Sequence, residues 1–240
     1  MNQPLTNFAS LSILIPVYNE ETLIEEQLRR VAAEPLELSK EIVVVDDGSQ
    51  DQTLAAIERF RAANPELAIQ LFVHEQNRGK GAAVRSALEL ATGDLVIIQD
   101  GDLEYDPRDY PALLGPILDG RADAVFGSRF LGGPHRVLFF WHSVGNRLLT
   151  TFSNIMTNFN LTDMEVCYKA MRREVALNLN LRSERFGIEP EITAKLARGG
   201  WRLYEVPITY AGRSYEEGKK ITWRDGMAAL WHIVYFRVRG

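Results

Sequence analysis

The stretch LVIIQDGDLEYDP, residues 95–107, runs five mostly apolar residues directly into a cluster of acids. The apolar part has the length and composition of a buried strand. At its carboxyl end follow Asp100, Asp102, Glu104 and Asp106. Like charges this close repel one another unless something positive lies among them. The stretch therefore predicts a buried strand that ends at a cation-binding site.

Similar apolar runs recur along the first half of the chain and alternate with helical patterns. The predicted strands are residues 11–17, 41–47, 69–73, 95–100 and 123–129. The predicted helices are residues 20–33, a helix capped by Ser49 or Asp51 that runs to about residue 63, residues 79–91, and one that begins near Arg108. Continuous apolar strands that alternate with helices are typical of a parallel sheet with helices on both faces. The predicted fold class is therefore α/β.

The second half of the chain is less regular. The pattern predicts a helix at 139–159, a strand or turn leading into a helix at 164–175, a helix at 189–200, a strand at 201–210, a polar loop at 213–221 and an amphipathic helix from about 223 to 238. No internal repeat, low-complexity tract or linker interrupts the sequence. We therefore expect a single domain, residues 1–240.

Composition and charge restrict the class of protein. The 240 residues include 46% hydrophobic and 25% charged residues, as in ordinary globular proteins. The net charge of −5 argues against a nucleic-acid partner, which usually meets a basic surplus. Cys167 is the single cysteine, and we interpret it as a small buried hydrophobe in a reducing compartment.

Neither a signal peptide nor a transmembrane helix is expected. The first ten residues lack a basic region followed by an apolar run. The apolar stretch at 227–236 has about half the ~20 residues that a spanning helix needs. We therefore expect a cytoplasmic protein, peripheral on the cytosolic face of a membrane.

Polar or glycine-rich segments follow each predicted strand of the first half. They are residues 16–21, 46–53, 74–88, 100–107 and 127–130. Ligands of open parallel sheets bind beyond the carboxyl ends of the strands. The sequence therefore predicts a functional site along this edge of the sheet.

Asp100 and Asp102 are two residues apart, so in an extended segment they point to the same side. Gly101 between them leaves room for a ligand near the backbone. Carboxylate oxygens suit Mg²⁺ or Mn²⁺, and Glu104 could supply a third oxygen. The alternative is an Asp-Gly turn with solvated charges. Asp106 precedes a proline and is expected to cap the next helix.

Two further segments offer groups for a nucleotide. Asp46 or Asp47 could accept hydrogen bonds from a base or ribose, and Arg78 and Lys80 with nearby glycines could form an anion site at a helix N-terminus. Walker A, GxGxxG and GxSxG motifs are absent, and the four histidines lack zinc-ligand spacing. The sequence thus argues against P-loop NTPases, NAD enzymes and serine hydrolases.

Five segments resemble, in order and spacing, the family-2 glycosyltransferases of the GT-A fold. They are ILIPVYNEE, VVVDDGSQDQT, NRGKGAAVRSAL, QDGDLEYDP and VFGSRF, continued by HSVGN, LTDMEVCYK, EVPITY and RSYEEGKKI. The group they resemble most is the dolichol-phosphate mannose synthase-like polyprenyl-phosphate hexosyltransferases. The resemblance covers residues 11–222 and leaves 223–240 as a C-terminal amphipathic helix.

The resemblance implies a role for each matched position. At the nucleotide sugar it places Pro16, Tyr18, Glu20, Asp46, Asp47, Arg78, Lys80, Gly101, Lys219 and Lys220. As catalytic groups it gives Asp100, Asp102, Arg129 and Arg213, and as metal ligands of the DXD motif Asp100, Asp102 and Glu104. At the acceptor phosphate it gives Arg129, Arg136, Ser143 and Arg147. Two positions depart from the pattern: Glu104 stands where Gln is frequent, and Lys219-Lys220 where Ser-Lys is usual.

The implied reaction is inverting, metal-dependent transfer of a hexose, mannose or glucose, from a nucleoside diphosphate sugar to dolichyl or undecaprenyl phosphate. The acceptor phosphate is mostly dianionic at neutral pH and needs no general base. A sugar hydroxyl acceptor, as in polysaccharide glycosyltransferases, would need one, with Asp163 or Glu165 as candidates. A non-catalytic nucleotide-sugar-binding scaffold is the alternative from another class.

A lipid acceptor also needs an apolar surface. The segments at 136–152 and 223–239 combine aromatic residues with arginines, as helices at a membrane interface do. The alternative, favoured for most of their apolar residues, is that both helices pack on the sheet.

Overall fold

The apolar runs of the sequence form the strands of one sheet. The computed structural model describes residues 8–132, 136–137, 139–213 and 223–239. The strands in these ranges are β1 Ser10–Val17, β2 Ser39–Asp46, β3 Ile69–Val73, β4 Leu95–Ile98, β5 Ala124–Ser128, β6 Lys169–Arg172 and β7 Leu203–Pro207. Their order in the sheet is β3-β2-β1-β4-β6-β5-β7.

The sheet is mostly parallel, as predicted. β1 pairs in parallel with β2 and β4, β2 with β3, and β5 with β7. β6 runs antiparallel between β4 and β5. The carboxyl ends of β2, β1 and β4 therefore lie side by side at one edge of the sheet.

Helices flank the sheet. They are α1 Ile24–Ala33, α2 Thr53–Ala63, α3 Lys80–Leu90, α4 Tyr110–Leu118, α5 Phe140–Thr157, α6 Arg173–Asn178, α7 Ile188–Gly199 and α8 Trp223–Arg239. α3 packs on β1 and β2, and α4 packs on β5 and β6, whereas α8 packs on α5 and α7. None of the helices in the described ranges has the length and apolarity needed to cross a membrane.

The core follows from strands that are covered on both faces. Val43, Val44 and Val45 are consecutive in β2 and all fully buried. A strand with one solvated face would instead alternate apolar and polar residues. Cys167 is buried, as its apolar neighbours predict.

Helix starts differ from the sequence-based expectation at two places. α1 begins at Ile24 rather than at residue 20, and the amides of residues 19 and 20 before it donate to the hydroxyls of Ser49 and Thr53. α2 begins at Thr53, and its N-cap residue makes no side-chain cap. Neither of the two expected residues is that N-cap: Asp51 accepts from the Thr53 amide, and Ser49 bonds elsewhere. The predicted cap Asp106 is confirmed, since its carboxylate accepts from the Arg108 amide.

Candidate active site

An arginine lies among the acids that follow β1 and β4. The Arg213 guanidinium donates to Asp102 Oδ2 at 2.6 Å and to Glu20 Oε2 at 3.1 Å. Its Nε lies 3.5 Å from Glu104 Oε1, and its backbone amide donates to the same oxygen at 2.8 Å. The positive group that the acidic cluster requires is thus supplied by the chain itself in this state.

Burial alters the protonation of this cluster. Desolvation, reinforced by the charges of Asp100 and Glu104, raises the pKa of Asp102 to about 7, although Arg213 opposes the rise. Burial by itself would lower the pKa of Arg213, but the surrounding carboxylates hold it above its ordinary value. The arginine therefore stays charged at every pH at which the protein is folded.

Asp100 forms an ion pair with a different cation, Lys80. Lys80, the first residue of α3, places its Nζ 3.0 Å from Asp100 Oδ1 and 3.0 Å from Glu189 Oε1. Burial opposes the charge on this lysine, yet Asp100, Cys167 and Glu189 raise its pKa well above the ordinary value. Lys80 therefore links the end of β4 to the first turn of α7.

The predicted metal ligands do not converge on one point. Within the described ranges, no three His, Cys, Asp or Glu side chains are arranged to hold a metal ion. The reason is that Lys80 holds Asp100 while Arg213 holds Asp102 and Glu104. The donor chemistry nevertheless fits a hard divalent cation, because all three groups are carboxylates and each of them already lies beside a positive charge.

Gly101 serves a packing role. A Cβ at this position would lie 3.1 Å from the Val17 side chain. The close neighbour is therefore β1, which brings the two acid-bearing loops together. Pro16 is also part of the sheet: it lies in β1 and pairs with Val45 of β2.

The two acids after β2 have different partners. Asp47 is buried and bonds His74 Nδ1 at 2.6 Å, and it accepts from the amides of Arg78 and Gly79 at 2.9 and 2.7 Å. His74 continues the chain of bonds to Ser86 in α3 at 2.9 Å. Both oxygens of Asp47 thus anchor the loop before α3. The neighbouring acid, Asp46, accepts from the Ser49 amide and hydroxyl.

The glycines before α3 allow close packing against another loop. The Ala82 amide donates to the Glu184 carbonyl at 3.0 Å. A Cβ on Gly81 would lie 2.4 Å from the Ser183 carbonyl oxygen. The first turn of α3 thus faces protein backbone, and the Arg78 side chain is exposed beside it.

Arg129 and Asp163 form a bidentate ion pair. Arg129 Nε and Nη2 lie 2.6 and 2.7 Å from the two oxygens of Asp163, and the Arg129 amide donates to the same carboxylate. Asn146 of α5 donates to Asp163 at 3.0 Å. Asp163 is fully buried. Its oxygens are therefore committed to positioning Arg129, which argues against Asp163 as a general base.

Glu165 has a different environment. Its Oε1 is buried and has no hydrogen-bond partner. Burial, followed by the charge of Glu189, raises the pKa of Glu165 to about 8. Burial also lowers the pKa of the neighbouring Lys169, whose Nζ donates to two backbone carbonyls. Glu165 therefore carries its proton at neutral pH.

The remaining predicted site residues occupy scattered positions. Arg136 lies beside the segment that follows β7, donating from its amide to Tyr210 O at 2.9 Å and from Nη1 to Gly212 O at 3.3 Å. Ser143 and Arg147 lie in α5, the latter exposed, and Tyr18 is half-buried after β1. The residues predicted at 219 and 220, Lys219 and Lys220, lie outside the described ranges.

Sequence reasoning did not find Glu189 and Tyr210. Tyr210 donates to Glu104 Oε2 at 2.9 Å and fixes the orientation of that carboxylate. Glu189 is a buried acid in the first turn of α7. The sequence signal for Glu189 was an acid between apolar residues at the start of a helix. That signal does not identify Lys80 as its partner.

Comparison with known proteins gives the family. Residues 12–179 match the model described as glycosyl transferase family 2. An undecaprenyl-phosphate 4-deoxy-4-formamido-L-arabinose transferase of Pseudomonas aeruginosa is 32% identical over 87% of this chain and 60% of its own length. Glycosyltransferase AglJ of Haloferax volcanii is 31% identical over 85% of this chain and 64% of its own. The chain thus spans about 60% of the length of these relatives.

Solved structures show the same fold. Glucosyl-3-phosphoglycerate synthase of Mycobacterium tuberculosis, in complex with Mn²⁺, UDP and phosphoglyceric acid, has a TM-score of 0.71 and 18% identity over 95% of this chain and 77% of its own. The same enzyme with Mg²⁺ and UDP has a TM-score of 0.70 and 19% identity, covering 95% and 78%. The likeness confirms the predicted GT-A fold. Because the family model spans well over half of the sequence, the chain belongs to glycosyl transferase family 2.

Proposed function

We propose that the chain catalyses inverting, metal-dependent transfer of a hexose, mannose or glucose, from a nucleoside diphosphate sugar to a polyprenyl phosphate. The observation that carries the proposal is the cluster of carboxylates beyond β1 and β4 with a chain-supplied cation among them. The name of the Pseudomonas relative supports an undecaprenyl-phosphate acceptor. The Mn²⁺ and UDP complexes of the structural neighbour support a metal and a UDP-sugar donor.

The donor would lie along the edge formed by β2, β1 and β4. Asp100, Asp102 and Glu104 would hold Mg²⁺ or Mn²⁺, which when bound neutralises charge on the departing diphosphate. The proposed nucleoside contacts are Pro16, Tyr18, Glu20, Asp46, Arg78 and Lys80. Of the two adjacent acids, Asp46 is the better candidate for the base or ribose, because Asp47 is committed to the loop before α3.

The acceptor phosphate needs cations more than it needs a base. A dianionic phosphate is itself the nucleophile, and charge-assisted hydrogen bonds would hold it near the donor. Arg129 is positioned for this by its bidentate pair with Asp163. Arg136, Ser143 and Arg147 are further candidates, with Arg213, Lys219 and Lys220 on the donor side.

A sugar hydroxyl is the second candidate acceptor, and one observation favours it. Glu165 has an unpartnered buried oxygen and a pKa of about 8, which suits a group that exchanges a proton near neutral pH. Asp163 is excluded from this role because Arg129 and Asn146 occupy its oxygens. Activity on oligosaccharides but not on polyprenyl phosphate would favour this alternative.

Exposed apolar residues of α5 and α8 offer a surface suited to lipid. In α5, Trp141, Leu148 and Ile155 are seven residues apart, so they share one side of the helix, and Trp141 is 77% exposed. α8 packs against α5 and exposes Met227, Trp231 and Val238. Asn146, on the opposite side of α5 from these three residues, lies within 3.4 Å of the Arg129 guanidinium. We infer that the apolar surface lies on the cytosolic face of a membrane, with α5 between it and Arg129.

Thermal unfolding tests the donor part of the proposal. A panel of GDP- and UDP-sugars is added to the wild-type protein with Mn²⁺, and the matching donor is expected to raise Tm by several degrees. Asp102→Asn removes a proposed metal ligand and should abolish the Mn²⁺-dependent part of the increase. Asp119→Asn, whose carboxylate pairs with Arg121 on the surface, is the control. Unchanged binding and turnover in Asp102→Asn would exclude this site as the catalytic centre.

A further inference from the structure

Arg213 lies among carboxylates that include two of the proposed metal ligands. It contacts Asp102 Oδ2 and Glu20 Oε2 and lies beside Glu104 Oε1, so three carboxylates share one guanidinium. The side chain is 16% exposed, which makes the pairs stronger than surface ion pairs. A divalent cation that binds Asp102 and Glu104 must therefore displace Arg213.

The backbone at Arg213 is fixed to the same acidic loop. The Ala211 amide donates to the Glu104 carbonyl at 2.9 Å, and Tyr210 pairs with Tyr105 in an isolated antiparallel bridge. The Arg213 amide donates to the Glu104 carboxylate at 2.8 Å. Rotation of the side chain alone can thus move the guanidinium away from the acids while the backbone stays in place.

We propose that Arg213 is an internal counter-cation that competes with the divalent metal for the acidic cluster and yields to it when the donor diphosphate binds. The inference rests on the proposed function. The diphosphate offers the guanidinium a new anionic partner, since arginine binds phosphate oxygens in bidentate fashion. Asp102 and Glu104, once released by Arg213, would then hold the metal.

This exchange has a measurable thermodynamic consequence. Metal alone must displace the guanidinium without offering it another anion, so it binds weakly. When metal and nucleotide bind together, the carboxylates pair with the metal and the guanidinium pairs with the diphosphate. Metal and nucleotide therefore strengthen each other's binding by the same factor. Removal of the guanidinium should strengthen the binding of metal alone and weaken the mutual effect.

Mn²⁺ titration followed by electron paramagnetic resonance tests the proposal, with and without UDP, at pH 8. Arg213→Gln is expected to bind Mn²⁺ alone about tenfold more tightly than the wild type and to lose most of the increase that UDP gives. Arg121→Gln removes an exposed arginine that pairs with Asp119, and it should match the wild type. Arg213→Lys keeps the positive charge but lacks the planar guanidinium, and it should bind Mn²⁺ with intermediate affinity. This second variant keeps the test valid if Arg213→Gln does not fold.

The outcomes separate the two proposals. Equal Mn²⁺ affinity of wild type, Arg213→Gln and Arg213→Lys, with UDP still promoting Mn²⁺ binding, would overturn the competition and leave the proposed function intact. Failure of the wild type to bind Mn²⁺ even with UDP would overturn the metal-dependent function itself, and the competition with it.

Discussion

The buried acids of the site differ mainly in whether a cation lies beside them. Asp163 is fully buried but paired with Arg129, and Asp102 is buried and paired with Arg213. Glu165 has an oxygen without a partner, and its pKa is raised to about 8. Glu165 thus keeps its proton, whereas Asp102 and Asp163 each have an arginine as partner.

The raised pKa of Glu165 makes stability depend on pH. The folded protein binds this proton more tightly than the unfolded chain, in which the pKa is near 4.5. The resulting stabilisation is complete below about pH 4.5 and is lost as the pH rises through about 8, by at most about 1.4 kcal/mol per pH unit. Relative to Glu165→Gln, the wild type should therefore lose stability between pH 5 and pH 8.

Urea unfolding at several pH values across this range measures the difference. Glu184→Gln, which changes an exposed carboxylate, is the control and should follow the wild type. A constant difference between wild type and Glu165→Gln at every pH would show that Glu165 does not carry the proton.

Individual elements were predictable where the local pattern decides them. β3 has the predicted bounds of residues 69–73. The reversed direction of β6 was not predictable, since its partners β4 and β5 lie far away in the sequence.

The packing of α3 against the loop at 183–185 gives a prediction for this element. Gly81→Ala places a methyl group 2.4 Å from the Ser183 carbonyl oxygen, so backbone must move. We expect a loss of about 1–3 kcal/mol in the free energy of unfolding. Gly115→Ala in α4 is the matched control, because nothing lies within 4 Å of its added methyl group. It should be neutral or stabilising by up to about 1 kcal/mol.

Denaturant unfolding of both variants measures the two changes in the free energy of unfolding. Equal stability of Gly81→Ala and Gly115→Ala would contradict the close approach of α3 to that loop.

At the scale of the whole molecule, the fold brings together charged side chains that are far apart in the sequence. Arg213 meets Asp102 across 111 residues, and Lys80 joins Asp100 to Glu189. Motif order along the chain predicted which loops lie together, because parallel strands end at one edge of the sheet. It could not predict the pairing of each acid with a particular cation, which depends on side-chain reach and on β6 and α7.

The apolar surface of α5 and α8 predicts binding to lipid vesicles. Phe140→Glu with Trp141→Glu places two charges on exposed positions of α5, so folding should be kept while vesicle binding falls about tenfold or more. Leu118→Glu changes an exposed apolar residue at the end of α4 and serves as the control. Co-sedimentation with vesicles that contain anionic lipid is the measurement. Absence of binding by the wild type would contradict the membrane-facing role.

Transfer of a labelled hexose tests the central claim most directly. The wild-type protein is incubated with Mn²⁺, UDP- or GDP-linked glucose or mannose, and undecaprenyl or dolichyl phosphate, beside oligosaccharide acceptors. The account predicts that one donor yields a lipid-extractable hexosyl phosphate with inverted anomeric configuration, and that Asp102→Asn abolishes the product. Label transferred only to oligosaccharide hydroxyls, or to no acceptor with any donor, would contradict it.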